Sequence, residues 1–176
     1  MKNAQFHIYT GDSKGKSTAA LGLLMRAHGR GLNCFIIYFD KGGFNYGERK
    51  ILKQLNIEYE VTGLNRMLPN NQFRFGVTDG DIIEAEKGLE KFKSLLNSKE
   101  YDLIVCDEIN TTTFLKMLKE DEVLDIIKNR PDTTELVFTG RYAPQSFIDE
   151  ATLVTEMKQH KHYFDNGVIA RLGIEY

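Results

Sequence analysis

The chain has no tryptophan, only three prolines and only two cysteines among its 176 residues. Two cysteines are too few for a disulfide framework or a cysteine-rich zinc site. Cys34 and Cys106 both lie in apolar runs, which predicts two buried thiols in the protein core. Because no proline-rich, Gly/Ser-rich or repeated stretch interrupts the sequence, we expect one domain over residues 1–176.

Excess charge and long hydrophobic runs are absent as well. The 23 Lys and Arg residues nearly balance the 25 Asp and Glu residues, and the net charge of -2 gives no general attraction to nucleic acid or to an anionic membrane. No apolar stretch approaches the roughly 18 residues that a membrane helix needs, and the N-terminus lacks the apolar segment of a signal peptide. We therefore expect a cytoplasmic protein that binds neither nucleic acid nor membrane.

The chain does contain a repeated alternation of short apolar runs and helical patterns. The apolar runs predict strands over residues 6–10, 34–39, 58–61, 103–107, 136–139 and 153–157. The spacing of apolar residues predicts helices over 16–28, 49–55, 114–118 and 123–128, one that begins at Asp81 in capping-box spacing with Glu84, and one that begins near Pro144. Strands that are apolar on both faces are typical of a mostly parallel sheet covered by helices on both sides, so the predicted fold class is α/β.

Directly after the first predicted strand, residues 10–18 read T-G-D-S-K-G-K-S-T and lead into a predicted helix. Strand, glycine-rich loop, G-K-S and helix together form the context of a phosphate-binding P-loop. Gly11 and Gly15 allow backbone N–H groups to surround a phosphate chain, and the helix that follows adds its positive dipole end. Lys16 is then placed to contact phosphate oxygens, and the Ser17 hydroxyl is placed for a magnesium ion.

Two further motifs lie at the carboxyl ends of predicted strands, which is where ligands bind in such sheets. Asp107 and Glu108 end an apolar strand, and carboxylates in this position suit a magnesium ion. Arg141 follows the strand predicted at 136–139, and its guanidinium is suited to phosphate oxygens. An exposed surface arginine is the alternative, and the residues alone leave both interpretations of Arg141 open.

Longer stretches of the sequence resemble one known family, the P-loop corrinoid adenosyltransferases (ATP:cob(I)alamin adenosyltransferases). The stretch G-D-S-K-G-K-S-T-A-A-L-G-L at 11–23 has the early glycine and the doubled lysine of that family. K-G-G-F-N-Y-G-E-R at 41–49, D-E-I-N at 107–110 and T-G-R at 139–141 follow in the same order. The most diagnostic match is the C-terminal pattern F-D-N-G-V-I-A-R-L-G-I-E at 164–175, and the resemblance covers nearly the whole chain.

The resemblance implies a RecA-like P-loop fold, a homodimer, and transfer of the 5′-deoxyadenosyl group of ATP to the cobalt of a reduced Co(I) corrinoid, with release of triphosphate, in adenosylcobalamin biosynthesis or salvage. It also implies Mg²⁺ as a cofactor and a flavoprotein as reductant of the corrinoid. Carried over to this sequence, Lys16 and Glu108 are the expected catalytic residues, and Ser17, Asp107 and Glu108 the expected magnesium ligands. The residues expected to bind ATP are Gly11, Asp12, Ser13, Lys14, Gly15, Lys16, Ser17, Thr18 and Arg141.

Family members commonly carry a G-F-T-W-like segment whose aromatic side chains contact the corrinoid. The equivalent stretch here belongs to the polar loop of residues 62–80, which has no tryptophan. We expect Met67, Phe73 and Phe75 to supply the apolar contacts, and the loop to be mobile until it closes over the corrinoid. A structured loop whose aromatic residues pin it to the sheet is the alternative. The sequence also leaves open two other functions, a P-loop ATPase or phosphotransferase with another acceptor, and a non-catalytic regulatory module that binds ATP or a corrinoid.

Overall fold

A six-stranded sheet in which every strand pair is parallel organises the computed structural model, which describes residues 2–43, 46–66, 68 and 74–176. The strands are β1 (Phe6–Thr10), β2 (Cys34–Phe39), β3 (Glu58–Thr62), β4 (Leu103–Asp107), β5 (Glu135–Thr139) and β6 (Leu153–Glu156). Their order across the sheet is β3-β2-β4-β5-β1-β6. All six predicted strands are confirmed, with bounds that differ by no more than one residue. Because the strands are parallel, their carboxyl ends lie along one edge of the sheet.

Six α-helices and one 3-10 helix are present in the described part of the chain. They are α1 (Lys16–His28), α2 (Glu48–Gln54), α3 (Asp79–Ser98), α4 (Ile109–Phe114), α5 (Glu120–Lys128), α6 (Gln145–Glu150) and the 3-10 helix at Tyr163–Asn166. Among these described helices, none combines the length and the apolar character that crossing a membrane requires.

The side chains of the strands alternate between two hydrophobic cores, one on each face of the sheet. In β2, the side chains of Phe35, Ile37 and Phe39 belong to one core, and those of Cys34, Ile36 and Tyr38 belong to the other. This alternation follows from the two-residue period of a strand. The first core is covered by α3, α5 and α6, and the second by α1 and α2. The predicted α/β class, with helices on both faces of the sheet, is therefore confirmed, and both cysteines are buried as predicted.

The capping box of α3 was predicted at the wrong residues. It is formed by Thr78 and Asp81, not by Asp81 and Glu84. The Thr78 hydroxyl oxygen accepts a hydrogen bond from the backbone N–H of Asp81, and the Asp81 carboxylate accepts one from the backbone N–H of Thr78 at 2.8 Å. These reciprocal bonds satisfy two N–H groups that a helix start leaves unpaired, so α3 begins at Asp79, and the loop before it is shorter than predicted.

The prediction of a helix over residues 114–118 was also wrong. The chain forms α4 directly after Glu108, which has a φ of 67°, and leaves the helix before Lys116, which has a φ of 61°. Residues with positive φ do not continue a right-handed helix. These two positions therefore bound α4, and the apolar residues that suggested a later helix instead lie at and after its end.

Candidate active site

An open cleft of about 580 Å³ lies at the carboxyl edge of the sheet. Its lining comes from the loops that follow β1, β2, β4 and β5 and from the C-terminal tail, which we define as residues 157–176. This is the position at which sheets of this kind bind ligands. Lining residues from these five segments include Ser17, Lys41, Glu108, Arg141 and Glu175.

The loop between β1 and α1 has a backbone that requires glycine. Gly11 has a φ of +104° and Gly15 a φ of +123°, values that residues with a Cβ rarely adopt. A Cβ on Gly11 would lie 2.5 Å from the carbonyl oxygen of Met157, which leaves no room for a side chain. The N–H of Ser13 donates to the same carbonyl at 3.1 Å, so the start of the C-terminal tail supports the loop.

Lys16 turns its ammonium group back into this loop. Its Nζ donates hydrogen bonds to the carbonyl oxygens of Gly11 and Ser13, each at 2.7 Å, and the residue is 7% exposed. Burial lowers the pKa of Lys16 from its usual value, and Arg141 acts in the same direction, while the negative charge of Glu108 opposes the shift. The ammonium is thus held inside the loop, beside the cleft that Lys16 lines.

Asp107 and Glu108 lie together at the end of β4, but their surroundings differ. Asp107 is fully buried and accepts a hydrogen bond from the Thr139 hydroxyl at 2.6 Å. Glu108 lines the cleft, and its carboxylate accepts a hydrogen bond from the Thr111 hydroxyl at 2.7 Å. The backbone N–H of Glu108 donates to the Thr139 hydroxyl at 2.9 Å, which joins the ends of β4 and β5. One carboxylate is therefore a buried anchor, and the other is accessible to a ligand.

Lys41, which is not among the predicted site residues, lies at the centre of this group. Its Nζ is 2.8 Å from Ser17 Oγ, 2.5 Å from Asp107 Oδ2 and 3.6 Å from Glu108 Oε1. Burial alone would lower the pKa of Lys41, but the two carboxylates raise it above its usual value. Burial alone would raise the pKa of Asp107, but the charge and hydrogen bond of Lys41 lower it. The pair is therefore ionised.

A signal for Lys41 was present in the sequence. The residue follows the carboxyl end of β2 by two positions. Ligands bind beyond the carboxyl ends of parallel strands, and this rule, which led to Asp107 and Arg141, applies equally to β2.

The three residues predicted to hold magnesium come together around one point. Hydroxyl and carboxylate oxygens are the donors that Mg²⁺ prefers, and it usually completes its shell with water and substrate phosphates. The ammonium of Lys41 bridges Ser17 and Asp107, so these oxygen atoms already surround one positive charge. Among the residues that the structure describes, no three His, Cys, Asp or Glu side chains converge as a metal centre. One hydroxyl and two carboxylates are few donors for Mg²⁺, and such a set suits an ion that also binds water and phosphate oxygens.

The remaining residues predicted to bind ATP divide between the cleft and its surroundings. Those that line the cleft are Ser13, Lys14, Gly15, Lys16, Ser17, Thr18 and Arg141. Gly11 and Asp12 are not part of the lining. Arg141 is exposed, and its backbone N–H donates to the Thr111 hydroxyl at 2.9 Å, which holds the start of the loop after β5 beside α4.

The C-terminal tail contacts Lys14, a contact that local sequence patterns did not predict. Lys14 Nζ donates to the carbonyl oxygen of Ile174 at 2.6 Å and pairs with the Glu175 carboxylate at 2.9 Å. Arg171 and the Tyr163 hydroxyl also hydrogen bond to that carboxylate, and together these contacts hold its pKa well below the usual value. The second cation of the loop is thus paired with the tail in this structure.

The loop predicted to contact a corrinoid is only partly described. Met67 and Phe73 lie outside the described residues. Phe75 is 92% exposed, so it does not pin the loop to the sheet. Two ion pairs anchor the described ends of the loop, Arg66 to Asp40 and Arg74 to Asp81, each at 2.6 Å.

Comparison with known proteins connects this site to one family. The sequence matches the family described as ATP:corrinoid adenosyltransferase BtuR/CobO/CobP over residues 2–176. The chain belongs to the ATP:corrinoid adenosyltransferase family. It is 32% identical to the corrinoid adenosyltransferase CobA of Salmonella typhimurium over 171 residues, which cover 96% of this chain and 84% of that protein. It is 34% identical to a corrinoid adenosyltransferase of a Sinorhizobium species, with 96% and 78% of the two chains covered. The family resemblance predicted from the sequence is confirmed.

Two other similarities concern the length of a relative and the fold of a solved structure. The chain is 32% identical to an uncharacterised protein of Nostoc and spans 47% of that protein's length. Among solved structures, a KaiC-like protein from the hyperthermophilic archaeon Pyrococcus horikoshii aligns with a TM-score of 0.57 and 14% identity, over 92% of this chain and 75% of that one. The second similarity concerns the fold alone and confirms the predicted RecA-like P-loop architecture.

Proposed function

We propose that this protein transfers the 5′-deoxyadenosyl group of ATP to the cobalt of a Co(I) corrinoid and releases triphosphate. The cobalt electron pair attacks C5′ of the ribose, a Co–C bond forms, and the C5′–O5′ bond breaks with its electron pair leaving on the triphosphate. The observation that carries the proposal is the cleft of this family member, in which a P-loop, a buried lysine and an acid pair converge. Co(I) is itself the nucleophile, so the site needs no general base.

The residues of the cleft are suited to bind the leaving triphosphate. The loop from Gly11 to Ser17 presents backbone N–H groups at the start of α1. Lys16 is held beside it by two carbonyl groups of the loop, and Arg141 adds a further positive charge to the lining of the cleft. Cations that are already in place stabilise developing negative charge without reorganisation, and in many enzymes this stabilisation contributes most of the rate enhancement. Lys16 is accordingly the residue to which we assign the main effect.

Mg²⁺ is part of this proposal. Ser17 and Glu108 would contact it, with Asp107 acting directly or through its hydrogen bonds to Ser17 and Thr139. When bound, the ion would neutralise charge on the phosphate oxygens. The protein's own part is to keep these oxygens oriented, and Thr111 and Thr139 do so through the hydrogen bonds described above.

Phe75 is the described candidate for contact with the corrinoid. A phenylalanine that is 92% exposed beside two ion-paired loop ends contributes little to folding, but it offers apolar surface to a ligand. Met67 and Phe73 belong to the same loop and stay predictions.

A homodimer is also proposed. Strand β6 is the last strand in the order of the described sheet, and its Leu153 and Val154 are each 42% exposed. In the tail, Ile169 and Leu172 are 71% and 79% exposed. Apolar surface of this kind on an edge strand and an adjoining tail is typical of a protein–protein contact, and light scattering would give the mass in solution. The flavoprotein reductant and the cytoplasmic location stay predictions.

The proposal is tested with ATP and chemically reduced cobalamin, with formation of the Co–C bond followed by absorbance. We expect turnover by the wild type and a loss of about 100-fold or more in Lys16→Met, because one preorganised donor is worth about this factor. Lys128→Met is the matched control, since this side chain is 53% exposed and lies outside the cleft. Equal turnover in both variants would reject the role of Lys16, and no Co–C bond formation by the wild type would reject the function.

A further inference from the structure

The ammonium of Lys41 lies among the oxygen atoms of the residues proposed to hold a magnesium ion. It contacts Ser17 Oγ and Asp107 Oδ2 at hydrogen-bond distance and lies 3.6 Å from Glu108 Oε1. Ser17 and Glu108 are the residues proposed above to contact the metal, and Asp107 is the residue proposed to act directly or through its hydrogen bonds. A divalent cation and an ammonium cannot share them, because two positive charges a few ångströms apart repel each other strongly where water is largely excluded.

We infer that the Lys41 ammonium is the counter-ion of these oxygen atoms when no nucleotide is bound, so that a divalent cation binds there only weakly. When ATP binds, the ammonium moves away and a divalent cation takes its place. The inference rests on the proposed function, because ATP is what brings both the metal and a new partner for the lysine. The Lys41 side chain lines the same cleft as the P-loop, so a triphosphate bound there would lie within the reach of its flexible stem.

Burial explains why the site needs a counter-ion when it is empty of metal. Asp107 is 0% exposed, and a buried carboxylate without a positive partner is strongly destabilising. Lys41 supplies that partner in the free protein, and the metal supplies it in the complex. The exchange keeps the charge of Asp107 paired throughout.

The backbone around Lys41 is held, so that only the side chain has to move. The Arg49 guanidinium donates hydrogen bonds to the carbonyl oxygens of Lys41 and Gly43, and it lies 4.9 Å from the centre of the Tyr38 ring and 4.6 Å from that of Tyr46. Arg49 is only 8% exposed. The backbone of the lysine is thus held in place, while its four-carbon stem can rotate, which is what an exchange between two partners requires.

Mn²⁺ binding without nucleotide tests the inference, because free Mn²⁺ is measured directly by electron paramagnetic resonance. We expect weak binding by the wild type and by Lys41→Arg, which keeps the charge. We expect binding that is tighter by about 10-fold or more in Lys41→Met, because the competing positive charge is gone. In Lys41→Met/Asp107→Asn the gain should disappear. Lys87→Met on the exposed side of α3 is the control and should bind as the wild type does.

Thermal unfolding provides a second readout. Lys41→Met should melt at a lower temperature than the wild type, and millimolar Mn²⁺ should restore most of the loss, while it should leave the wild type nearly unchanged. If Lys41→Met is unfolded without metal, Mn²⁺ should fold it. Unchanged Mn²⁺ affinity in a folded variant, or no recovery of an unfolded one, overturns the inference. Neither readout needs ATP or a corrinoid, so a wild type that forms no Co–C bond would reject the proposed function and leave the Mn²⁺ result standing.

Discussion

Replacing Gly11 with alanine should damage the phosphate loop more than any other single methyl group added to it. The φ of +104° is unfavourable for alanine, and the new Cβ would lie 2.5 Å from the Met157 carbonyl oxygen. Met157 cannot move away freely, because its N–H donates to the Thr10 carbonyl at 2.8 Å and its own carbonyl accepts from Ser13 at 3.1 Å. Backbone strain and overpacking together predict a loss of about 2–4 kcal/mol in the free energy of unfolding.

Gly22→Ala is the matched control, since it adds the same methyl group within α1, more than one helix turn after the loop. Gly22 lies inside α1, is exposed, and has no atom within 4 Å of the position of a Cβ. Alanine is favoured over glycine in a helix interior, so this variant should gain about 0.5–1 kcal/mol.

Urea unfolding and thermal melting of both variants give the comparison. At about 2–4 °C per kcal/mol for a chain of this size, Gly11→Ala should melt about 4–16 °C below the wild type, and Gly22→Ala slightly above it. ATP binding, measured by calorimetry, should be lost only in Gly11→Ala. If Gly11→Ala keeps both its melting temperature and its ATP affinity, the packing of the tail against the loop described here is wrong.

Three further predictions concern the loop before α3. Thr78→Ala removes the helix cap and should lower the free energy of unfolding by about 1 kcal/mol in urea titrations, with ATP binding unchanged. Arg74 and the hydrogen bonds of Thr78 hold the pKa of Asp81 well below its usual value, so stability is contributed above the unfolded pKa of about 3.9 and is lost as the pH falls towards the folded one. In denaturant titrations between about pH 3 and 7, the free energy of unfolding of Asp81→Asn should therefore fall less on the acid side than that of the wild type. Phe75→Ala should raise the KM for the corrinoid and leave the free energy of unfolding within the range of a surface substitution, about 0.5 kcal/mol; a lower melting temperature with unchanged kinetics would reverse that assignment.

The fold could be predicted from the sequence because its signals are local. The central strands β2 and β4 are nearly continuous apolar runs, and their bounds were predicted to the residue. The P-loop glycines could also be identified, since their spacing and the following helix are sequence features. Helix boundaries were less predictable. Asp79 is the start of α3 because Thr78 and Asp81 exchange hydrogen bonds, and a similar spacing at Asp81 and Glu84 gave a competing choice.

The candidate site was only partly predictable, because two of its contacts join distant segments. Lys41 is 66 positions from Asp107, and Lys14 is 160 positions from Ile174. The local sequence around a lysine does not predict which carboxylate or carbonyl it will contact after folding. The order of the strands brings β2 beside β4, so the residues that follow β2 come close to Asp107 and Glu108 at the end of β4.

The phosphate product of the corrinoid-dependent reaction distinguishes attack at C5′ of ATP from phosphoryl transfer. ATP and chemically reduced cobalamin are incubated with the protein, and the products are separated by ion chromatography. Attack at C5′ leaves the three phosphates joined, so we expect one triphosphate for each adenosylated corrinoid. Formation of ADP in place of triphosphate would contradict it, because phosphoryl transfer breaks a different bond of ATP.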